Sequence, residues 1–401
     1  MTEAPGAQAG TPPAARIASL DVLRGFAVLG ILIMNVQGFS MPGDAYDDPT
    51  AWGDLTGANY VVWWLSHLFA DTKFISIFSF LFGAGVCLFA DRAARRGADP
   101  TRLHFRRMRW LLLFGLVHAY LLWVGDILVA YAVSGFVIFR FRDWNPRRLL
   151  AGGLGFFAVG SVAVVGLGYY LGGLPQSEID RLLPPIAEEV AAYRGAWLAQ
   201  MSQRATDSLG MHFLLLPVSL FWRCTGAMMV GMALYRRGVL SASRSDGFYK
   251  RLAFRGLCAG GIAVLVGVWF DVRAQWNFPE SQTFHSQFNY WGGLSMAAGY
   301  VGLVMLGVRR GWLPRLQDRL AATGRMAFTN YVMQTLICTT LFYGHGFGLF
   351  GSVERWKQAL IVVAVWLAQL WWSPLWLARF RQGPLEGIWR RLTYGRPLTG
   401  G

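Results

Sequence analysis

Long apolar runs recur along this chain and are separated by short polar segments rich in arginine. A helix needs about 20 mostly apolar residues to cross the hydrocarbon core of a bilayer. On that measure the pattern predicts ten spans, at 20–39, 72–91, 106–124, 127–140, 149–172, 211–235, 252–271, 290–308, 326–345 and 358–379. The stretch 58–70 (ANYVVWWLSHLFA) is also apolar but runs into Asp71 and Lys73, and reads as an interfacial or re-entrant helix. The predicted fold class is therefore all-α, a polytopic transmembrane helix bundle. Residues 1–15 are Ala/Pro/Gly-rich without periodicity and are expected to form a disordered tail. Residues 16–172 make a five-span half that carries the polar motifs, 173–210 an outer-face connector, and 211–395 a second five-span half with a tail. Within the connector, Ile186 to Met201 have the apolar spacing of an amphipathic helix, a lid or a plain surface connector.

Composition narrows the class. Among 401 residues 54% are apolar and only 15% charged, with a mean hydropathy of +0.37. A soluble domain carries about 25% charged residues, so these values exclude one. The net charge of +15 would suggest a nucleic-acid binder in a soluble protein. Here 28 of the 37 basic residues fall in alternate loops and the two tails, which is the distribution of topology determinants. The positive-inside rule then makes that side cytoplasmic and puts both termini there, in a multi-pass protein of the bilayer with no nucleic-acid partner. No cleavable signal is evident, because the first run carries Arg24 and no A-x-A site follows it. Cys87, Cys224, Cys258 and Cys338 stand singly in apolar segments, and His and carboxylates never cluster at ligand spacing, so no metal is expected. P-loop, dinucleotide and HExxH motifs are absent.

Ionisable groups inside spans cost at least ~2.5 kcal/mol on insertion scales and so face the protein interior or a cavity. In the first span Arg24, Val28, Ile31 and Asn35 share one helical stripe, with Asp21 one turn before Arg24. Two readings stay open: a functional stripe, or an Asp21–Arg24 pair at the headgroups with Asn35 bonding a neighbouring helix. In the third span His118 precedes Gly125-Asp126 by a probable-turn distance of eight residues to the carboxylate. A carboxylate on Nδ1 would fix the tautomer and make the other nitrogen a general base; the alternative is a packed core histidine. His67 and Asp71 form a rival pair near the outer interface. The run FSFLFGAG at 78–85 suits close helix packing or a slender ligand. The cluster RLHFRRMR, with Arg106 and Arg109, is a topology signal that could also hold phosphates.

Several segments resemble the YeiB-type inner-membrane proteins: RIASLDVLRGFAVLGILIMN at 16–35, FSFLFGAG at 78–85, LFGLVHAYLLWVGDILVAYAVSG at 113–135, GRMAFTNYVMQTLICTTLFYG at 324–344 and RFRQGPLEGIWRRLTYG at 379–395. More distantly, that family is similar to transmembrane acyltransferases such as heparan-α-glucosaminide N-acetyltransferase and the acyltransferase-three proteins. Their first-span signature is an Arg followed eleven positions later by His or, in the heparan enzyme, Asn; Arg24 and Asn35 match the Asn form, and Asp21-x-x-Arg24-Gly25 the start. With Asn in that place the base must come from elsewhere, and His118 is the leading candidate. The resemblance implies transfer of an acyl group from cytoplasmic acyl-CoA to an extracytoplasmic hydroxyl or amine, on a glycan or small molecule, at the bacterial inner membrane. In that scheme Arg24, Arg106 and Arg109 hold the donor's phosphates, His118 oriented by Asp126 is the base, and Asn35 meets the oxyanion, along a polar corridor from Arg24 to His118. A transporter of a small solute and a non-catalytic membrane partner are the alternatives from other classes.

Overall fold

The computed structural model describes residues 17–395 except 176, 179–180 and 182–184; the expected tail at 1–15 lies outside them. The described residues are helical and contain no strand. In chain order the helices are α1 (Ala18–Ser40), α2 (Asp44–Asp47), α3 (Gly57–Phe69), α4 (Lys73–Arg95), α5 (Pro100–Val117), α6 (Leu128–Ile138), α7 (Pro146–Gly172), α8 (Ile186–Arg194) and α9 (Gln200–Gly210). They continue with α10 (Phe221–Arg236), α11 (Asp246–Arg273), α12 (Ser286–Arg310), α13 (Pro314–Arg325), α14 (Ala327–Phe342), α15 (Arg355–Arg379) and α16 (Pro384–Tyr394). π-helical turns at His118–Leu122, Met211–Leu220 and Ser281–His285 extend α5, join α9 to α10 and lead into α12.

Seven helical segments are long and apolar enough to cross a membrane: 18–40, 57–95, 146–172, 200–236, 246–273, 281–310 and 355–379. This makes the chain a multi-pass membrane protein. Large apolar side chains such as Phe213, Phe254 and Leu367 point outward, as they do where lipid is the solvent. The other three predicted spans fall on shorter or less apolar helices, at Pro100–Leu122, Leu128–Phe141 and Ala327–Phe342. At about 1.5 Å per residue, the second and third cover only roughly 21 and 24 Å, less than the ~30 Å core.

Two boundaries differ from the apolar pattern. The helix expected over Ile186–Met201 breaks after Arg194, where Gly195 turns extended. The following helix begins at Gln200 rather than 211, because Gln200, Arg204 and Ser208 along one face of QMSQRATDSLG are buried against other parts of the protein. Asp99, Asn145 and Ser245 accept N-terminal amide hydrogens of α5, α7 and α11, with Pro at the first turn of α5 and α7.

α1 is the central helix, packed on α4, α12, α13, α14 and α15. Its start crosses α13 closely: a Cβ at Gly25 would overlap the Leu320 carbonyl, and one at Gly324 the Asp21 carbonyl. Small residues are what let such backbones touch. The basic loops gather at one end, where Arg236 donates to the carbonyls of Arg142 and Trp144 and Arg309 to that of Ala242. At the opposite end the loop after α1 meets α8 and the loop after α14, through Gly43 to Glu189 and Trp52 to Gly351.

Candidate functional site

The α5–α6 hairpin penetrates the bundle and turns inside it. Gly115 makes the hairpin tight, since a Cβ there would sit 2.6 Å from the Val129 nitrogen. The π turn at 118–122 then leaves carbonyls without helical partners, and the connector supplies them. Ser208 donates to Ala119, while Arg204 and Trp197 both donate to Leu121. Arg204 is wholly buried in doing so. The connector is therefore bonded directly over the hairpin tip.

At that tip His118 and Asp126 come together as their spacing predicts. Nδ1 of His118 lies 2.9 Å from Oδ1 of Asp126, and both side chains are essentially inaccessible. The approach is off the line of a ring N–H hydrogen bond, so the contact is one of charge and proximity. The other Asp126 oxygen accepts the Val129 N–H at 2.8 Å, at the start of α6, where the helix dipole favours an anion. On the far side of the ring, Nε2 lies 2.9 Å from Oγ1 of Thr335 in α14. The Tyr331 ring packs 5.1 Å from the imidazole. Which of Nε2 and the Thr335 hydroxyl donates depends on the ring tautomer. The imidazole thus stands between the start of α6 and the middle of α14.

The remaining expected residues are spread out. Gln334, next to Thr335, donates to the Val28 carbonyl, and Trp123 to that of Gly38. His118 therefore lies at the depth of α1 between Val28 and Gly38, an interval that contains Asn35. Asn35 is half-buried, and no hydrogen bond joins it to His118 or Asp126. Arg24 sits about 6 Å nearer the basic end than Val28 and pairs with Asp21 at 2.9 Å. Arg106 leans on Gly395 at the end of α16, and Arg109 is exposed. The arginine of that cluster that faces inward is Arg107, stacked over Trp389 at 4.3 Å and Phe89 at 5.1 Å. Between Arg24 and His118 the polar residues bond one another: Gln334 donates to Gln369, Gln369 to the Asn330 carbonyl and Asn330 to Ser373. That ladder stands where the corridor was expected.

The rival pair belongs to a larger cluster. Lys73, wholly buried, donates to the His67 carbonyl at 2.8 Å and to Oδ1 of Asn289 at 2.6 Å. Asn289 donates to Asp71 at 2.5 Å, and His67 and Tyr46 approach the same carboxylate at 3.4 Å. Thr72, between the two charges, has φ of +66°, a left-handed conformation unusual for a β-branched residue. Its hydroxyl fits only because residue 293 is glycine, where a Cβ would overlap it. The sequence placed Lys73 only at the edge of the predicted span 72–91. Its signal was that it stands two residues after Asp71 and opens an apolar run.

The whole chain has relatives of the same length. A family model described as a protein of unknown function (DUF418) matches residues 234–396. The uncharacterized protein YeiB of Escherichia coli K12 is 33% identical over 390 residues, covering 94% of this chain and 96% of the relative. The uncharacterized protein YxaH of Bacillus subtilis is 31% identical over 405 residues, covering 94% of each. An uncharacterized 39.9 kDa protein from the amylase 3' region of Bacillus acidopullulyticus is 27% identical over 381 residues, covering 95% and 94%.

Proposed function

The chain belongs to the YeiB-like family of membrane proteins, and from that footing we propose that it is an acyltransferase of the bacterial inner membrane. It moves an acyl group from cytoplasmic acyl-CoA to a hydroxyl or amine on an extracytoplasmic glycan or small molecule. The observation that carries this reading is the imidazole of His118 held between a buried carboxylate and a hydroxyl, at 2.9 Å on each side. A base positioned by an acid and already facing an O–H is the arrangement that proton abstraction requires.

In this mechanism Nε2 of His118 takes the proton of the acceptor's hydroxyl or amine, whose heavy atom attacks the thioester carbonyl. The tetrahedral intermediate collapses by breaking the C–S bond, and His118 returns the proton to the departing thiolate. Asp126 keeps the proton on Nδ1 and stabilises the imidazolium. Thr335 occupies the acceptor's place at rest. Asn35, in the stretch of α1 between Val28 and Gly38, donates to the oxyanion, a contribution of a few kcal/mol in other acyl-transfer sites. Arg24, Arg106 and Arg109 meet the donor's phosphates at the basic end.

The test is acceptor-dependent release of free CoA thiol by the protein in nanodiscs. His118→Gln keeps the side chain polar, so Asp126 is not left without a partner, and should lower turnover by at least ~100-fold. Full turnover by that variant, or acyl-CoA that neither binds nor turns over, overturns the reading. A second reading, transport, has one specific observation in its favour: the α5–α6 hairpin is interrupted over 118–127 beside the buried His118–Asp126 pair, and interrupted helices are also how transporters build a substrate site. Solute counterflow in liposomes lost in His118→Gln would favour it.

A further inference from the structure

Cations within the helical core are met by the protein itself. Lys73 has two acceptors, Arg204 has the Leu121 carbonyl and Gln200, and Arg355 has the carbonyls of Pro49, Trp52 and Asp54. Arg223 differs. It lies within the 200–236 span, and among the described residues it has neither a hydrogen-bond acceptor nor a carboxylate partner, only the Tyr290 ring 5.5 Å from its guanidinium carbon. α4 and α10 run side by side here, with Gly83 against Met228. Arg223 is thus level with Ser79, about 9 Å along α4 from Lys73.

Arg223 lines a small open cleft together with Ile75, Ser76, Ser79, Leu220, Cys224 and Ala227. The hydroxyls beside it are already engaged. Ser79 and Tyr131 lie 2.8 Å apart and both reach the Ile75 carbonyl, at 2.8 and 3.2 Å, so one hydrogen serves the carbonyl and the other joins the two hydroxyls. A guanidinium with a free fork between apolar walls describes a receptor for a small oxyanion carried on an apolar body. The cleft is small, which suits a carboxylate head rather than a phospholipid.

We propose that the cleft at Arg223 binds the carboxylate of a small acid, the guanidinium taking both oxygens. This site does not depend on acyl transfer at His118. The carboxylate comes either from a fatty acid in the bilayer or from a short acid in water, and the probes separate these sources. In nanodiscs, octanoate should raise the melting temperature more than octanol at equal concentration, and Arg223→Gln should erase that difference, with at least a 10-fold loss of octanoate affinity. Propionate producing the same shift assigns the source to water; propionate without effect assigns it to the bilayer. Ala227→Leu, which fills the cleft without altering charge, should erase the difference too, and serves if Arg223→Gln does not fold. Retention of the octanoate-over-octanol difference in either folded variant, or its absence from the wild type, overturns the proposal.

Discussion

Two of the buried histidine–aspartate clusters in this protein, around Lys73 and around His118, are built to opposite ends. Around Lys73 every charged group is shared: the ammonium, the Asp71 carboxylate, the Asn289 amide and the His67 carbonyl close on one another. The cluster balances one cation with one anion and ties α4 to α12. Around His118 the charge stops at Nδ1, and Nε2 faces only the neutral hydroxyl of Thr335. An incoming hydroxyl can replace that partner without stranding an ion. Nothing can replace a member of the Lys73 cluster so cheaply. A closed network holds helices, whereas one ending on an exchangeable hydroxyl leaves room for chemistry.

The largest expected effect follows from breaking the closed network. Lys73→Met removes the cation and leaves the Asp71 carboxylate buried beside His67 and Asn289. Removing one partner of a buried ion pair costs about 3–5 kcal/mol, and chemical or thermal unfolding in detergent should show a loss of that size. A variant as stable as the wild type would mean that Asp71 finds compensation elsewhere and the cluster is not structural. The same logic explains why His118→Ala is a poor probe: it would strand Asp126 and mix stability with mechanism.

A smaller effect is expected at the open network. Thr335→Val leaves Nε2 of His118 without its partner, a loss of about 1–3 kcal/mol for a buried polar atom. If Thr335 only keeps the acceptor's place, acyl transfer should stay within ~10-fold of wild type, and Thr335→Ser should restore stability. Turnover falling as far as in His118→Gln would instead make Thr335 a covalent participant. Either result sharpens the contrast with Lys73→Met, where stability, not turnover, is the quantity at risk.

The all-helical fold was legible because lipid leaves hydropathy as the dominant signal. So was the His118–Asp126 pair, because eight residues and a glycine turn join them. Thr335 was not, being 217 residues from His118, nor was Asn289, 216 from Lys73. Local periodicity carries no information about which distant helix turns its hydroxyl or amide inward. Gln200–Gly210 was missed for a related reason: its polar residues read as loop, yet Arg204 and Ser208 are buried because a π turn in another helix frees the carbonyls they satisfy. Arg107 was hidden among equivalent arginines, and only Trp389, 282 positions away, distinguishes it.

The smallest expected effect concerns how the connector closes over the open network. Glu189 on α8 accepts the Gly43 N–H with both carboxylate oxygens, at 3.1 and 3.2 Å. Burial pushes its pKa up to about 7, against the Gly43 hydrogen bond and with help from Asp207 and Asp44. The folded state therefore binds this proton more tightly than the unfolded chain. A raised carboxyl pKa makes stability fall as pH rises from about 4.5 to about 7. The buried seat of Glu189 is therefore most stable in acid and least stable above neutrality, although the Gly43 hydrogen bond itself favours the ionised form. For a half-buried group the effect is of order 1 kcal/mol after solvent screening. Amide exchange at Gly43 and through α8 should quicken between pH 5 and pH 8 beyond the intrinsic pH dependence of exchange. Glu189→Gln, which cannot ionise, should remove that excess. An excess that persists in Glu189→Gln would place the pH response elsewhere. The sign matters for the comparison: a connector that loosens as pH rises would open the His118 network while leaving the Lys73 cluster, which makes no bond to α8, unchanged.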